Sequence, residues 1–256
     1  MMCLLTFSYQ SHPDYPLIFI GNRDESYRRP SIGAHFWFDA PDVLAGRDLE
    51  AGGTWLGLTK HGRFIAITNQ PFTDHKPVEV KSRGTILQRF LTEDVPVADF
   101  TDWLQAEREH FEGYHLLYGS LADLYFYENV ADTAFRYSPG IHSISNTQDD
   151  LSNFRMSQSS QLLEDLSQKT FTVDDLLALF QDETPHPNPT DYPDVLSAEV
   201  VQNNSAIFIR GNDDFGTVGT TAIVVDRAGH VMFKEVRYNP VQATESVTHE
   251  FTLERK

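Results

Sequence analysis

The order of hydrophobic patterns along the chain limits its fold more than any single motif. Residues 3–9 (CLLTFSY) and 16–21 (PLIFIG) are runs of β-forming side chains. Between them SHPDY carries turn chemistry through Pro13 and Asp14, which predicts an antiparallel hairpin. Residues 54–58 and 63–69 predict a second hairpin, turning at Lys60-His61-Gly62, where Gly62 can take positive φ. Helical spacing follows over 82–93, with Ile86, Leu87, Phe90 and Leu91 on one face, and over 97–109 through Phe100, Trp103 and Leu104. Strands are expected again at 114–119, 123–128 and 141–146, and helices at 155–167 and 172–181. Thr172 and Asp175 stand at capping-box spacing. The proline-rich 182–194 reads as a loop, and strands at 205–210, 220–226, 230–238 and 247–254 close the chain. Hairpins, then helices, then strands predict an α+β fold of mostly antiparallel sheets, not a parallel doubly wound one.

At 256 residues, 40% of them apolar with 18 Phe and 10 Tyr, the chain can bury one large core, so a single domain over 1–256 is expected. The net charge of −17 repels phosphate backbones and anionic bilayers, which argues against nucleic acid as a partner. No stretch is apolar enough to span a membrane, and the start lacks the basic and apolar regions of a signal peptide, so a cytoplasmic location is expected. The sequence says nothing of oligomeric state. One cysteine allows no internal disulfide, and the ten histidines show no ligand spacing, so neither a metal nor a cofactor is expected. The chain has no GxSxG, GxGxxG or Walker A pattern.

Chemistry then rests on Cys3. If Gln10 faces Pro16 in the first hairpin, paired residues sum to 26 and Cys3 falls opposite Arg23, with Asn22 and Asp24 as the alternatives one step away. A guanidinium beside a thiol favours the thiolate. Cys3 also reads as a small buried hydrophobe in line with Leu5, Phe7 and Tyr9. The run Asn22-Arg23-Asp24-Glu25 reads either as a solvated strand end or as part of a site. Asn69 and Asn146 close predicted strands and are either turn formers or carboxamide donors to an oxyanion.

Together, MCLLTF at the start, GNRDE after the second strand, RP shortly after it, AGGTWLG, AITN, SRG at 82–84, ISN at 144–146, TTAIVVD and HEFTLE resemble the NRDE family, the family of the transport-and-Golgi-organisation protein. The resemblance runs nearly end to end. It implies a four-layer αββα sandwich similar to the N-terminal-nucleophile hydrolases. It implies Cys3 as nucleophile, Arg23 and Asp24 as the pair orienting its thiol and α-amine, and Asn69 and Asn146 as oxyanion or substrate-positioning groups. It also implies an amide-containing small molecule as substrate or, in a carrier role, haem or a lipid as ligand. Two departures stand out. The chain reads Met1-Met2-Cys3, and methionine aminopeptidases need a small second residue, so a free Cys3 amine requires translation to begin at Met2. Where the family pattern has an arginine, this chain has Val218 after Phe215-Gly216-Thr217, which removes a cationic substrate contact.

Overall fold

The computed structural model describes residues 3–147, 149–239 and 242–254. The chain forms two compact units, Met1–Arg28 with Pro139–Phe251, and Arg29–Ser138 with Thr252–Lys256.

The first unit is built on a sheet of six strands: β1 (Leu4–Tyr9), β2 (Leu17–Ser26), β10 (Gly140–Ile144), β11 (Phe215–Val225), β12 (His230–Tyr238) and β13 (Ala243–Thr252). Their order is β10-β1-β2-β11-β12-β13. The pairings from β10 through β12 are antiparallel. Helices α3 (Asp150–Ser167), α4 (Val173–Leu179) and α5 (Ala198–Asn203) belong to this unit. Leu4, Ile18, Ile20, Ala222 and Val224 on the sheet pack with Leu163, Leu176, Leu177 and Phe180 from α3, α4 and the residue after α4. The predicted capping box holds: Thr172 accepts from the Asp175 backbone N–H, and the Asp175 carboxylate accepts from the Thr172 N–H.

The second unit carries seven antiparallel strands in chain order. They are β3 (Ser31–Phe36), β4 (Val43–Asp48), β5 (Leu56–Thr59), β6 (Arg63–Asn69), β7 (Tyr114–Ser120), β8 (Leu124–Glu128) and β9 (Thr133–Arg136). Helices α1 (Gly84–Thr92) and α2 (Val97–Glu107) lie between β6 and β7 in the chain. The α1 stripe Ile86, Leu87, Phe90 and Leu91 is buried in one cluster with Phe100 and Leu104 of α2 and with Ile65, Ile67, Leu116 and Tyr118 of the sheet. Gly62 takes φ +79 in the β5–β6 turn, as its position predicts. Gly53 faces Gly84 so closely that a Cβ on Gly53 would stand 2.4 Å from the Gly84 carbonyl carbon. The AGGTWLG and SRG motifs thus meet as two backbones with no room for a side chain.

The expected α+β class with antiparallel sheets is observed, and several boundaries differ from the sequence reading. Residues 205–210 form no strand. Their backbone is spent on the Asp182 carbonyl, which accepts from Phe208 N–H, and on Thr217, which both donates to Ile209 O and accepts from Ile209 N–H. Strands β3, β4 and β9 were not expected, because they are short and interrupted by glycine or, in β9, fully exposed. Helix α3 begins five residues earlier than its periodicity suggests, capped by Asp149, whose carboxylate accepts from Ser152 N–H. No helix among the described residues is long and apolar enough to cross a membrane.

Candidate functional site

Strand β2 lies between β1 and β11 and does not end at Gly21. It runs on through Asn22, Arg23, Asp24 and Glu25, all buried, paired with β11 as far as Ser26 opposite Phe215. The reading of this run as a solvated strand end is therefore corrected. A second ladder partner satisfies its backbone, so the polar side chains continue into the interior.

The first hairpin has the register deduced from sequence. Gln10 N–H donates to Pro16 O at 2.9 Å, and the ladder runs from Tyr9 opposite Leu17 to Leu4 opposite Asn22. The ladder ends there; Cys3 immediately precedes it on one strand and Arg23 immediately follows it on the other, and the Arg23 cation acts on the Cys3 thiol. Its backbone is fixed from the other side: Cys3 N–H donates to Asn146 Oδ1 at 2.6 Å, and Ser145 Oγ donates to Cys3 O at 3.1 Å. Asn146 is the second residue after β10 and is fully buried. Its carboxamide oxygen is committed to Cys3, so within the first unit it is a holder of the Cys3 nitrogen.

Side-chain alternation then divides β2. Arg23 and Glu25 share one face, with Arg23 Nη2 3.9 Å from Glu25 Oε2. Asn22 and Asp24 share the other. Asn22 Nδ2 donates to Phe180 O at 3.0 Å and Ile207 O at 2.8 Å, and its oxygen accepts from Thr220 Oγ1 at 2.6 Å. Asp24 accepts from Arg155 Nη2 at 2.7 Å and from Thr217 Oγ1 at 2.7 Å. Asp24 and Arg155 are both fully buried. Consecutive strand residues point to opposite faces, so Arg23 and Asp24 reach the two sides of β2, and Asp24 is paired with Arg155.

Electrostatics at Cys3 also differ from expectation. Burial pushes its thiol from the ordinary 9.0 up to about 11, and the Asp24 charge pushes the same way. The Asp24 backbone N–H and the Arg23 cation act oppositely and are outweighed. Desolvation therefore overrides the cation at this thiol. Burial also lifts the Asp24 carboxyl, opposed by Arg155 and by the Thr217 hydroxyl. The ion-pair geometry keeps Asp24 charged, because a neutral Asp24 would leave a buried guanidinium without a counter-charge.

Between Thr217, opposite Asp24, and Gly219, opposite Arg23, the ladder slips by one residue, so Val218 is the extra residue of a β-bulge. Asn69 belongs to the second unit, where it ends β6 opposite Tyr114 and is buried. Arg155, Thr217 and Thr220 were not foreseen. Arg155 had a signal: it is the sole cation of α3 and stands on the stripe Leu151, Arg155, Ser159, Leu163, at i, i+4 spacing where an apolar residue is expected.

Two antiparallel sheets with their helices give this chain the N-terminal-nucleophile hydrolase-like fold. A conjugated bile acid hydrolase mutant from Clostridium perfringens superposes with a TM-score of 0.56 at 9% identity, covering 100% of this chain and 98% of that one. Within that fold class the chain belongs to the Transport and Golgi organisation 2 family, whose model matches residues 2–240. The Transport and Golgi organization protein 2 homologs of Bos taurus and Homo sapiens are each 29% identical to it, covering 99% of this chain and 100% of theirs.

Proposed function

We propose that the chain is a cysteine hydrolase of the N-terminal-nucleophile type, acting on an amide-containing small molecule. The observation that carries this reading is the 2.6 Å hydrogen bond from the Cys3 nitrogen to Asn146. In a chain whose first residue is Cys3 that nitrogen is an α-amine, already held by a buried carboxamide beside its own thiol. With a reference pKa of about 7.7–8.0, the amine takes the thiol proton near neutral pH. The thiolate attacks the amide carbonyl, the C–N bond breaks and the leaving amine takes the proton back. Water then cleaves the thioester to the acid and restores the thiol. Arg23 is assigned the orientation of the thiol. Asp24 acts from the opposite face.

The test is intact mass. A chain beginning at Cys3, incubated with simple amides, should gain a thioacyl adduct that Cys3→Ser lacks. Neither adduct nor product in any case contradicts the reading.

A second reading has its own observation. A thiol at about 11 stays protonated at neutral pH, which favours a carrier of haem or an acyl lipid wherever the Cys3 nitrogen remains an amide. The names of the relatives, which speak of transport and Golgi organization, support it. A purified full chain that carries a haem absorbance or an extractable lipid, undiminished in Cys3→Ser, would decide for it.

A further inference from the structure

We propose that Arg155 is a positioning residue for Cys3, acting through Asp24. This rests on the reading of Cys3 as the nucleophile. Arg155 sits in the second turn of α3 with no exposed surface. Its Nη2 spans to Asp24 Oδ2 at 2.7 Å and to Ile207 O at 3.2 Å, the same carbonyl that accepts from Asn22. Its Nε and Nη1 have no protein partner among the described residues. Asp24 is therefore what compensates the guanidinium, and an apolar residue on this stripe would pack at lower desolvation cost. What the ion pair provides instead is a fixed place for Asp24. That residue lies two positions beyond Asn22, the last ladder partner of β1, and both its charge and its backbone N–H act on the Cys3 thiol.

The same helix follows Asn146 by four residues, with Thr147 Oγ1 held by Ser152 Oγ at 2.8 Å. One element thus anchors both the carboxamide on the Cys3 nitrogen and the carboxylate whose charge acts on its thiol. The charged groups around the sulfur are few. Asp24 and Arg23 act on it from β2, the positive charge of the chain's amino terminus acts in the same direction as Arg23, Glu25 lies beside Arg23, and Arg155 reaches it only by way of Asp24. Thr217 contributes a neutral hydroxyl from β11.

The test is the pH profile of Cys3 alkylation by iodoacetamide on the folded full chain, which needs no substrate. Four proteins are compared: wild type, Arg155→Lys, Arg155→Met and the double variant Asp24→Asn with Arg155→Met. Without Arg155 a buried Asp24 takes up a proton, so Arg155→Met should match the neutral double variant. Both should alkylate about tenfold faster than wild type at pH 8, the effect of a midpoint about one unit lower. Arg155→Lys, which keeps the charge, should stay at the wild-type profile.

If Arg155→Met does not fold, the double variant carries the comparison, since a buried pair can be replaced by neutral groups of similar size. A folded double variant with the wild-type profile overturns the proposal. A double variant that cannot fold assigns the pair to stability alone and overturns it too. Failure of the hydrolase reading shows separately, as a chain starting at Cys3 that is inert towards amides while Cys3 still responds to Arg155.

Discussion

Asn146 Oδ1 accepts the backbone N–H of Cys3 at 2.6 Å, across 143 residues of chain. This one contact ties the start of β1 to the end of β10 and gives a buried amide its acceptor. Asn146→Ala should leave that N–H unsatisfied and cost about 1–3 kcal/mol. Denaturant unfolding measures it as a lower midpoint at unchanged slope. A variant as stable as wild type would show that the bond contributes nothing.

The thiol makes stability depend on pH in a defined window. Cys3 titrates at about 11 in the folded chain against 9.0 ordinarily. A raised folded pKa means that the unfolded chain ionises first. The contribution is therefore complete below pH 9 and is lost as pH rises from about 9 to about 11. Two units correspond to about 2–3 kcal/mol. Thermal unfolding of wild type against Cys3→Ala, compared at pH 8 and pH 11, should show the difference between the two proteins shrink with pH. A constant difference would mean that the thiol is not desolvated as the structure has it.

Gly53→Ala tests whether the GG motif is structural. A Cβ there meets the Gly84 carbonyl carbon at 2.4 Å, and backbone cannot yield as a flexible side chain does. A loss of about 1–3 kcal/mol is expected from overpacking. Gly52→Ala has open space but a φ of +78, so its cost should come from backbone strain alone and be smaller, about 1–2 kcal/mol. Thermal denaturation of both variants ranks them, and the reverse order would contradict this account.

Much of the first unit was legible in the sequence because hairpin arithmetic is local. Gln10 facing Pro16 is enough to set the register, which holds without error over the six pairs from Tyr9 and Leu17 to Leu4 and Asn22. The same local logic misjudged the end of β2. Whether Asn22 to Glu25 are solvated depends on β11, nearly 200 residues away, and the run itself holds no sign of that partner. The sign of the shift at Cys3 was misread for a related reason. A neighbouring cation can be inferred from register, whereas full burial is a property of the whole unit. Arg155 lies between these cases: a lone arginine on an apolar stripe signals a buried counter-charge, but only the fold shows that it is Asp24.

Val218 gives a gain-of-function test. As the extra residue of the bulge between Thr217 and Gly219, it stands on β11 next to the ladder positions of Asp24 and Arg23, and it is only half-buried. Val218→Arg places a cation at that bulge. In a chain that hydrolyses amides, it should improve kcat/KM for substrates bearing a carboxylate over neutral analogues by about tenfold, the effect of about 1.4 kcal/mol. Equal effects on both substrates would show that residue 218 does not face the ligand.

The most direct test compares two forms of the protein, one retaining Met1-Met2 and one beginning at Cys3, for hydrolysis of the same panel of simple amides. Intact mass confirms the first residue of each. The account predicts turnover by the form beginning at Cys3, rising through the pKa of its α-amine near 7.7–8.0, and none by the form in which that nitrogen is an amide. Equal activity in the two forms, or none in either, would contradict it.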